Sequence, residues 1–206
     1  MTTIMLLGPS LGAVSGVSTH LNQLLQSALP REFRFVLFQV GSEGRGESLP
    51  GKVWRLLLSP VLFLIALLRE RPAIVHLNTS MEPKSYWRDV VYLAIAKLMR
   101  KRVVYQVHGG ALPQEFFGGR HLLTGLLRRV LRLPDAVVLL AQCELRGYRS
   151  FDATLALEVI PNAIDAGLDA GAKPLAPQRP LSLVYVGRLV DSKGLTRWLL
   201  LPKSRA

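Results

Sequence analysis

Short apolar runs alternate with longer, partly apolar stretches along the first 160 residues of the chain. Six runs have the length of buried strands and are bounded by Gly, Pro or polar residues; they lie at 4–7, 33–40, 73–78, 103–107, 136–140 and 155–160. Five stretches between them predict helices, at 20–29, 54–69, 85–100, 120–133 and 142–148. This alternation predicts a Rossmann-like α/β domain, in which helices cover both faces of a parallel sheet.

A seventh apolar run, at 181–186, follows a segment of different composition. Residues 161–180 include four prolines with several Ala and Gly residues, which is typical of a linker. We therefore predict a Rossmann-like first domain at 1–160, a linker at 161–180 and the beginning of an incomplete second domain at 181–206.

Two cations follow the seventh run. Gly187 ends the predicted strand, and Arg188 and Lys193 lie on the loop after it. An Arg can chelate a diphosphate with two parallel hydrogen bonds, while a Lys acts as a point charge. The pattern predicts a diphosphate site, although a basic loop after a strand also fits a solvated turn.

The loop after the first strand carries three glycines, Gly8, Gly12 and Gly16, just before a predicted helix. A strand, a glycine-rich loop and a helix amino terminus can bind an anion through backbone N–H groups. The spacing is not G-x-G-x-x-G, so the dinucleotide fingerprint is not met. A flexible connection and a helix cap would explain the same residues.

Polar residues end the third and fourth predicted strands. Asn78 and Thr79 follow the third, and His108 ends the fourth, before two glycines. Because the carboxyl ends of parallel strands border the crevice where α/β proteins bind ligands, these side chains are candidate ligand contacts. A helix cap would explain Asn78 and Thr79 equally well. His76, inside the third strand, is expected to be a satisfied core histidine.

Two strings late in the chain carry a family resemblance. The first is Ile-Pro-Asn-Ala-Ile-Asp at 160–165, and the second is the pair Gly-Arg and Lys-Gly at 187–188 and 193–194. In this order they resemble the "IPNGVD" and "GR…KG" strings of retaining glycosyltransferases of the GT-B type, family 4. The resemblance extends from the first strand to about Leu195 and departs from the family pattern at Ala163, where the family usually has Gly.

The resemblance implies transfer of a sugar from a nucleotide-sugar to a glycan or lipid-linked acceptor, with retention of configuration. It implies that Arg188 and Lys193 hold the donor diphosphate and that amides near Gly16 reach towards the donor. It also implies that His108 is the catalytic histidine, which hydrogen-bonds the donor sugar at the reacting centre. We expect no metal and no cofactor besides the nucleotide-sugar co-substrate, because the two cations neutralise the leaving group.

Acceptor contacts are expected from Asn78, Thr79 and the loop at Glu115. The family would also need a complete second domain with an acidic "E-x7-E" motif, whereas Glu158 is the last glutamate of this chain. We therefore expect a truncated or frameshifted chain with little activity by itself.

The charge of the chain suggests an anionic partner. The net charge is +12, and 19 of the 26 basic residues lie at or before Arg149, against nine acids there. Nucleic acid is not expected, since no helix-turn-helix, zinc spacing or aromatic-studded basic strand is present. The predicted helix at 120–133 has an apolar stripe and a basic side, formed by Arg120, Arg128, Arg129 and Arg132. This side could face an anionic membrane, or the helix could dock on its own domain.

Residues 1–11 show no signal-peptide pattern, and the single cysteine, Cys143, fits a reducing compartment. The longest apolar block, at 56–68, is shorter than the roughly 20 residues that span a bilayer, which predicts a buried or interfacial helix. We expect a cytoplasmic protein, peripheral on the cytoplasmic face of the membrane.

Two other interpretations stay open. One is a non-catalytic module that docks on membranes or binds the acceptor, for which salt-sensitive binding to anionic vesicles would be diagnostic. The other is a nucleotide-binding α/β protein of a different class, against which the missing dinucleotide fingerprint counts.

Overall fold

The structure, a computed structural model, describes residues 1–41, 46 and 48–163. The chain divides into two units, Met1–Ile164 and Asp165–Ala206. The second unit lies outside the described residues, together with the predicted strand at 181–186 and most of the predicted linker.

Within the described residues, six parallel strands form one sheet in the order β2-β1-β3-β4-β5-β6. The strands are β1 Thr2–Gly8, β2 Phe33–Gln39, β3 Ile74–Met81, β4 Arg102–Gly110, β5 Ala136–Leu139 and β6 Leu157–Val159. The six predicted strands and the parallel α/β fold are thus confirmed. The strand order reverses between β1 and β3, and open α/β sheets bind ligands beside such a switch point, at the carboxyl ends of the strands.

The five predicted helices are also present. They are α1 Gly16–Gln26, α2 Leu49–Glu70, α3 Pro83–Leu98, α4 His121–Leu131 and α5 Gln142–Phe151, and a short 3-10 helix, Leu29–Arg31, precedes β2.

Two helices begin earlier than their apolar patterns predict, because serine side chains cap them. Ser15 caps α1, and its hydroxyl accepts a hydrogen bond from the Ser18 amide at 3.2 Å. Ser48 caps α2, accepting from the Gly51 amide at 3.4 Å. These serines satisfy amides that have no partner inside the helix, so each helix gains one turn or more at its start.

The early start of α2 corrects the length that the sequence suggested. The apolar block at 56–68 is too short by itself for a membrane span, but the helix has 22 residues and is long and apolar enough, by length and composition, to cross a bilayer. It is also mostly exposed rather than buried: its buried residues are Ser59, Phe63 and Leu67.

The two faces of the sheet differ in character. One face carries the main apolar core, where Leu77 and Tyr105 pack with residues of α2 to α5 such as Phe63 and Leu127. On the other face, Leu21 of α1 packs so closely on β1 that a Cβ added at Gly8 would lie 2.5 Å from the Leu21 Cδ1 atom. Helices therefore cover both faces, as predicted.

The pairing of β3 with β4 becomes irregular at the carboxyl ends. Its register shifts between Thr79 and Met81, where Met81 pairs with Gly110. Gly110 has a φ of +110°, and a Cβ added to it would lie 2.5 Å from the Met81 carbonyl oxygen. Gly109 has a φ of +84°, but a Cβ there would meet nothing within 4 Å. Position 110 thus requires glycine for two reasons and position 109 for one.

We expect Gly110→Ala to destabilise the protein more than Gly109→Ala. Both variants place a side chain at positive φ, which costs on the order of 1–3 kcal/mol, but only the first also drives a methyl group into the main chain of Met81. Urea unfolding followed by circular dichroism measures the two free energies. Equal losses in the two variants would show that the contact with Met81 can relax.

Candidate functional site

The candidate site lies at the carboxyl ends of β1, β3 and β4, beside the switch point. Asn78 of β3 is buried, and its Nδ2 donates a hydrogen bond to the carbonyl oxygen of Leu7 on β1 at 3.1 Å. Its Oδ1 lies 2.9 Å from the Nε2 atom of His108 on β4. Because the Asn78 nitrogen faces a carbonyl, its oxygen faces His108, so His108 Nε2 donates and the Nδ1 atom of the neutral ring carries a lone pair.

A second histidine, His20 of α1, packs against His108. The two ring centroids lie 4.9 Å apart in an edge-to-face arrangement. The Nε2 atom of His20 and the Nε2 atom of Gln106 on β4 are both buried without a hydrogen-bond partner in the described part of the chain. His20 was not among the residues predicted from the sequence; its position five residues into a helix that follows the glycine loop is the signal that could have found it.

The third histidine of the cluster behaves as the sequence predicted. His76 is partly buried, and its Nε2 atom lies 2.9 Å from the Gln106 Oε1 atom. Burial lowers the pKa of His76 to about 4, and it lowers the pKa of His108 to about 3, with His20 and His76 adding to the effect. Burial also lowers the pKa of His20. The cluster is therefore uncharged at neutral pH, and His108, whose Nε2 donates to Asn78, has its Nδ1 lone pair left as an acceptor.

The glycine loop is held in place by the helix that follows it. The Ser18 hydroxyl lies 2.7 Å from the Ser10 carbonyl and 2.9 Å from the Leu11 carbonyl, and Asn22 Nδ2 donates to Leu11 at 2.8 Å. Gly16 opens α1, and no atom lies within 4 Å of the place where its Cβ would be. The helix cap of the alternative interpretation is present, and there is also open space beside Gly16 for a ligand. The donor-binding role of Gly16 stays a prediction.

A cavity of about 700 Å³ opens between α2 and α3, next to the ends of β1 and β3. Asn78, Thr79 and Ser80 contribute to its wall, together with the apolar side chains of Leu56, Trp87 and Tyr92. Its basic lining residues are Lys52, Arg55, Lys84 and Arg88, against one acid, Glu82. Such a cavity suits a ligand with an anionic group and an apolar portion.

Thr79 contributes to the cavity differently from Asn78. Its hydroxyl donates to the buried carboxylate of Asp89 at 2.6 Å, and Arg88 donates to the same carboxylate at 2.7 and 2.9 Å. The hydroxyl proton of Thr79 is thus used inside the domain. Contact of Asn78 and Thr79 with an acceptor stays a prediction.

Glu115 is not brought to this cavity. It is exposed in the loop between β4 and α4 and is absent from the lining of the cavity. The neighbouring Phe116 and Phe117 pack their rings against Tyr86, at centroid distances of 5.1 and 5.7 Å. At these two residues the loop therefore packs against α3.

The arginines of α4 divide into two groups. Arg132 pairs with Asp152 at 2.6 Å, and Arg128 donates to the Phe151 carbonyl at 3.2 Å while its guanidinium lies 4.9 Å from the centre of the Phe151 ring. The hydrogen bond from Arg132 lowers the pKa of Asp152 well below its usual range. Arg128 and Arg132 thus bind groups at the end of α5, but their side chains remain 46% and 50% exposed. Arg120 and Arg129 are exposed as well, and the lipid-facing role of all four arginines stays a prediction.

Arg188 and Lys193 lie outside the described residues, so the predicted diphosphate site does too. Among the residues that the structure describes, no group of three or more His, Cys, Asp or Glu side chains could hold a metal ion.

These features define a parallel α/β domain that has a neutral histidine cluster and a basic cavity at its switch point. The family described as Glycosyltransferase Family 4 matches residues 14–168, which is more than half of the 206 residues. The protein belongs to this family, and the resemblance seen in the sequence is confirmed.

Other comparisons add little. No curated protein matches the chain. Among solved structures, the chain is similar to MurG of Acinetobacter baumannii at 12% identity and a TM-score of 0.43, over 85% of this chain and 51% of MurG. The chain thus spans about half the length of that protein.

The histidine cluster predicts how stability depends on pH. Unfolded histidines titrate near 6.5, whereas His76 and His108 titrate near 4 and 3 in the folded protein. Between these values the unfolded chain binds more protons, so stability rises with pH. We expect the free energy of unfolding to fall as the pH is lowered from 7 to about 4.5, and His108→Asn to remove up to ~1.4 kcal/mol per pH unit of that slope. Urea unfolding at several pH values measures it.

The matched control is His121→Asn, at the exposed start of α4. A slope that is unchanged in His108→Asn, or reduced as much in His121→Asn, would contradict a neutral, partly buried His108.

Proposed function

We propose that the protein is a retaining glycosyltransferase that transfers a sugar from a nucleotide-sugar to a glycan or lipid-linked acceptor. Membership of Glycosyltransferase Family 4 supports the class of reaction. The observation that carries the proposal is the position of His108 at the mouth of the sheet, where Asn78 holds it in one tautomer and burial keeps it neutral.

The proposed roles follow from the chemistry of sugar transfer. The bond from the anomeric carbon to the diphosphate oxygen breaks, the acceptor oxygen bonds to that carbon on the same face, and the acceptor proton passes to the departing diphosphate. His108 binds the donor sugar through its free Nδ1 lone pair beside the reacting carbon and orients it there. The amides at Gly16 stabilise negative charge on the donor at the start of α1.

The remaining assignments are part of the same proposal. Arg188 and Lys193 neutralise the leaving diphosphate, so that no metal or other cofactor is needed. The cavity between α2 and α3 receives the acceptor through Asn78 and Thr79. The protein acts in the cytoplasm, peripheral on the membrane face, in the synthesis of a polysaccharide or glycolipid.

We expect His108→Ala to transfer less labelled sugar than wild type when the protein is in molar excess over the donor. Radiolabelled nucleotide-sugars are incubated with the 206-residue protein and a lipid extract, and label in the lipid and glycan fractions is counted. Loss of the group that orients the donor sugar costs on the order of 100-fold in rate, so label should fall to background in His108→Ala. His121→Ala is the matched control and should keep the wild-type rate.

The outcome also separates the two candidate functions. Label at background in wild type and both variants, with retained binding of the lipid extract, would support the non-catalytic acceptor-binding module instead. Equal label above background in wild type and His108→Ala would contradict the catalytic role of His108.

A further inference from the structure

Helix α2 exposes an apolar surface that the fold does not use. Eleven of its large apolar residues are exposed, among them Trp54, Leu57, Val61, Leu62 and Ile65. The buried side consists of Ser59, Phe63 and Leu67, which recur every four residues along one stripe. Most other positions on the helix are exposed, and from Leu56 to Leu68 the exposed side chains are apolar.

Charge is absent from the middle of this surface and concentrated at its ends. From Leu56 to Leu68 the exposed side has no charged or polar side chain. Lys52 lies before this stretch, and Arg69 and Arg71 lie directly after it, all three exposed. The nearby acid, Glu70, is paired with Arg34 at 2.6 Å. The surface is thus an apolar band bordered by positive charge, the pattern that an anionic lipid headgroup layer complements.

The contacts of the buried stripe argue against a helix that spans the bilayer. The Ser59 and Tyr92 hydroxyl oxygens lie 2.6 Å apart in a buried hydrogen bond to α3. The Phe63 ring lies 5.2 Å from the rings of both Phe38 and Tyr92. Insertion across a membrane would break these contacts, and lying flat on it would keep them all.

We propose that α2 is an interfacial helix that docks this protein on an anionic lipid bilayer, with the exposed residues from Trp54 to Leu68 towards the acyl chains. The docking surface is α2, whereas Arg128 and Arg132 of α4 are bound to the end of α5. A second copy of the chain is the other occupant that an apolar surface of this kind could have, and vesicle binding distinguishes the two.

Docking by α2 has a consequence for the cavity, which rests on the proposed function. Lys52, Arg55 and Leu56 of α2 line the cavity between α2 and α3. With α2 in the headgroup layer, the cavity opens at the depth where the phosphate of a lipid-linked acceptor lies. The acceptor would then enter from the membrane rather than from solution.

Vesicle sedimentation with the 206-residue protein tests the docking. Vesicles of phosphatidylcholine with 30% phosphatidylglycerol are compared with phosphatidylcholine alone, at low and high salt. The test variant is Leu57→Gln, Val61→Gln and Ile65→Gln together, at positions that are 64%, 54% and 53% exposed, so folding should be preserved. The matched control is Leu122→Gln, at a 90% exposed leucine of α4. Circular dichroism confirms that all variants are folded.

We expect wild type and Leu122→Gln to bind the anionic vesicles and to be released by high salt, and the triple variant to bind at least about tenfold more weakly. Trp54, which is 65% exposed, should shift its fluorescence to the blue on binding and be quenched by brominated lipid, and Trp54→Phe should lose that signal.

Four results would overturn the proposal. The first two are equal binding to uncharged vesicles and binding that high salt does not release. The third is loss of binding in Leu122→Gln while the triple variant still binds. The fourth is a concentration-dependent dimer of the wild type that the triple variant does not form, with no binding of either protein to vesicles. None of these measurements involves turnover. Failure of docking is therefore distinct from failure of sugar transfer, which is followed with detergent-dispersed acceptor and His108→Ala.

Discussion

The buried amide of Asn78 fixes the geometry on which the candidate site depends. Its nitrogen donates to Leu7 on β1 and its oxygen accepts from His108 on β4, so one side chain joins three neighbouring strands. If the amide were flipped, its Nδ2 would face the N–H of His108 and its Oδ1 would face the carbonyl oxygen of Leu7. These buried polar groups would then lose their hydrogen bonds. The imidazole is therefore held in one orientation and one tautomer. Because β1 pairs with β3 in parallel, the glycine loop that follows Gly8 begins at the same edge of the sheet as His108.

The elements of the first domain were predictable because strands of a parallel sheet are covered on both faces and show as continuous apolar runs. Of the candidate site, the sequence predicted the polar residues at the carboxyl ends of the strands but not the contacts between them. The hydrogen bond between Asn78 and His108 depends on the register of β3 against β4, in which Asn78 pairs with Gln106, and no local pattern specifies that register. His20 was missed for a related reason. The helix was expected to begin at residue 20, whereas Ser15 caps it, so that His20 lies inside the helix, where its ring packs against that of His108.

Buried carboxylates are partners of polar side chains for which the sequence suggested a ligand or lipid. A polar residue at a strand end suggests a ligand, but the Thr79 hydroxyl has a partner in Asp89, a carboxylate on the buried side of α3 that an amphipathic pattern does not predict. A basic helix side suggests lipid, but two arginines of α4 bind groups at the end of α5, including Asp152. In both cases the partner is distant in sequence, ten residues in the first and twenty in the second. Pairings of this kind depend on how separate elements pack together, and the residue pattern of one helix does not reveal that packing.

Helix α2 is apolar on nearly all sides but attached to its domain on only one. A helix of this composition is normally buried in a protein or a membrane, yet this one contacts its domain along a single narrow stripe. The stripe includes a hydrogen bond between Ser59 and Tyr92, which gives the helix a fixed rotation about its axis as well as an attachment. A fixed rotation matters because the edge of α2 that carries Lys52 and Leu56 forms a wall of the basic cavity. A helix that rotated freely about its axis could lie on lipid, but its side chains would not stay in the wall of the cavity. The single stripe therefore lets one helix contribute both a cavity wall and a broad apolar surface.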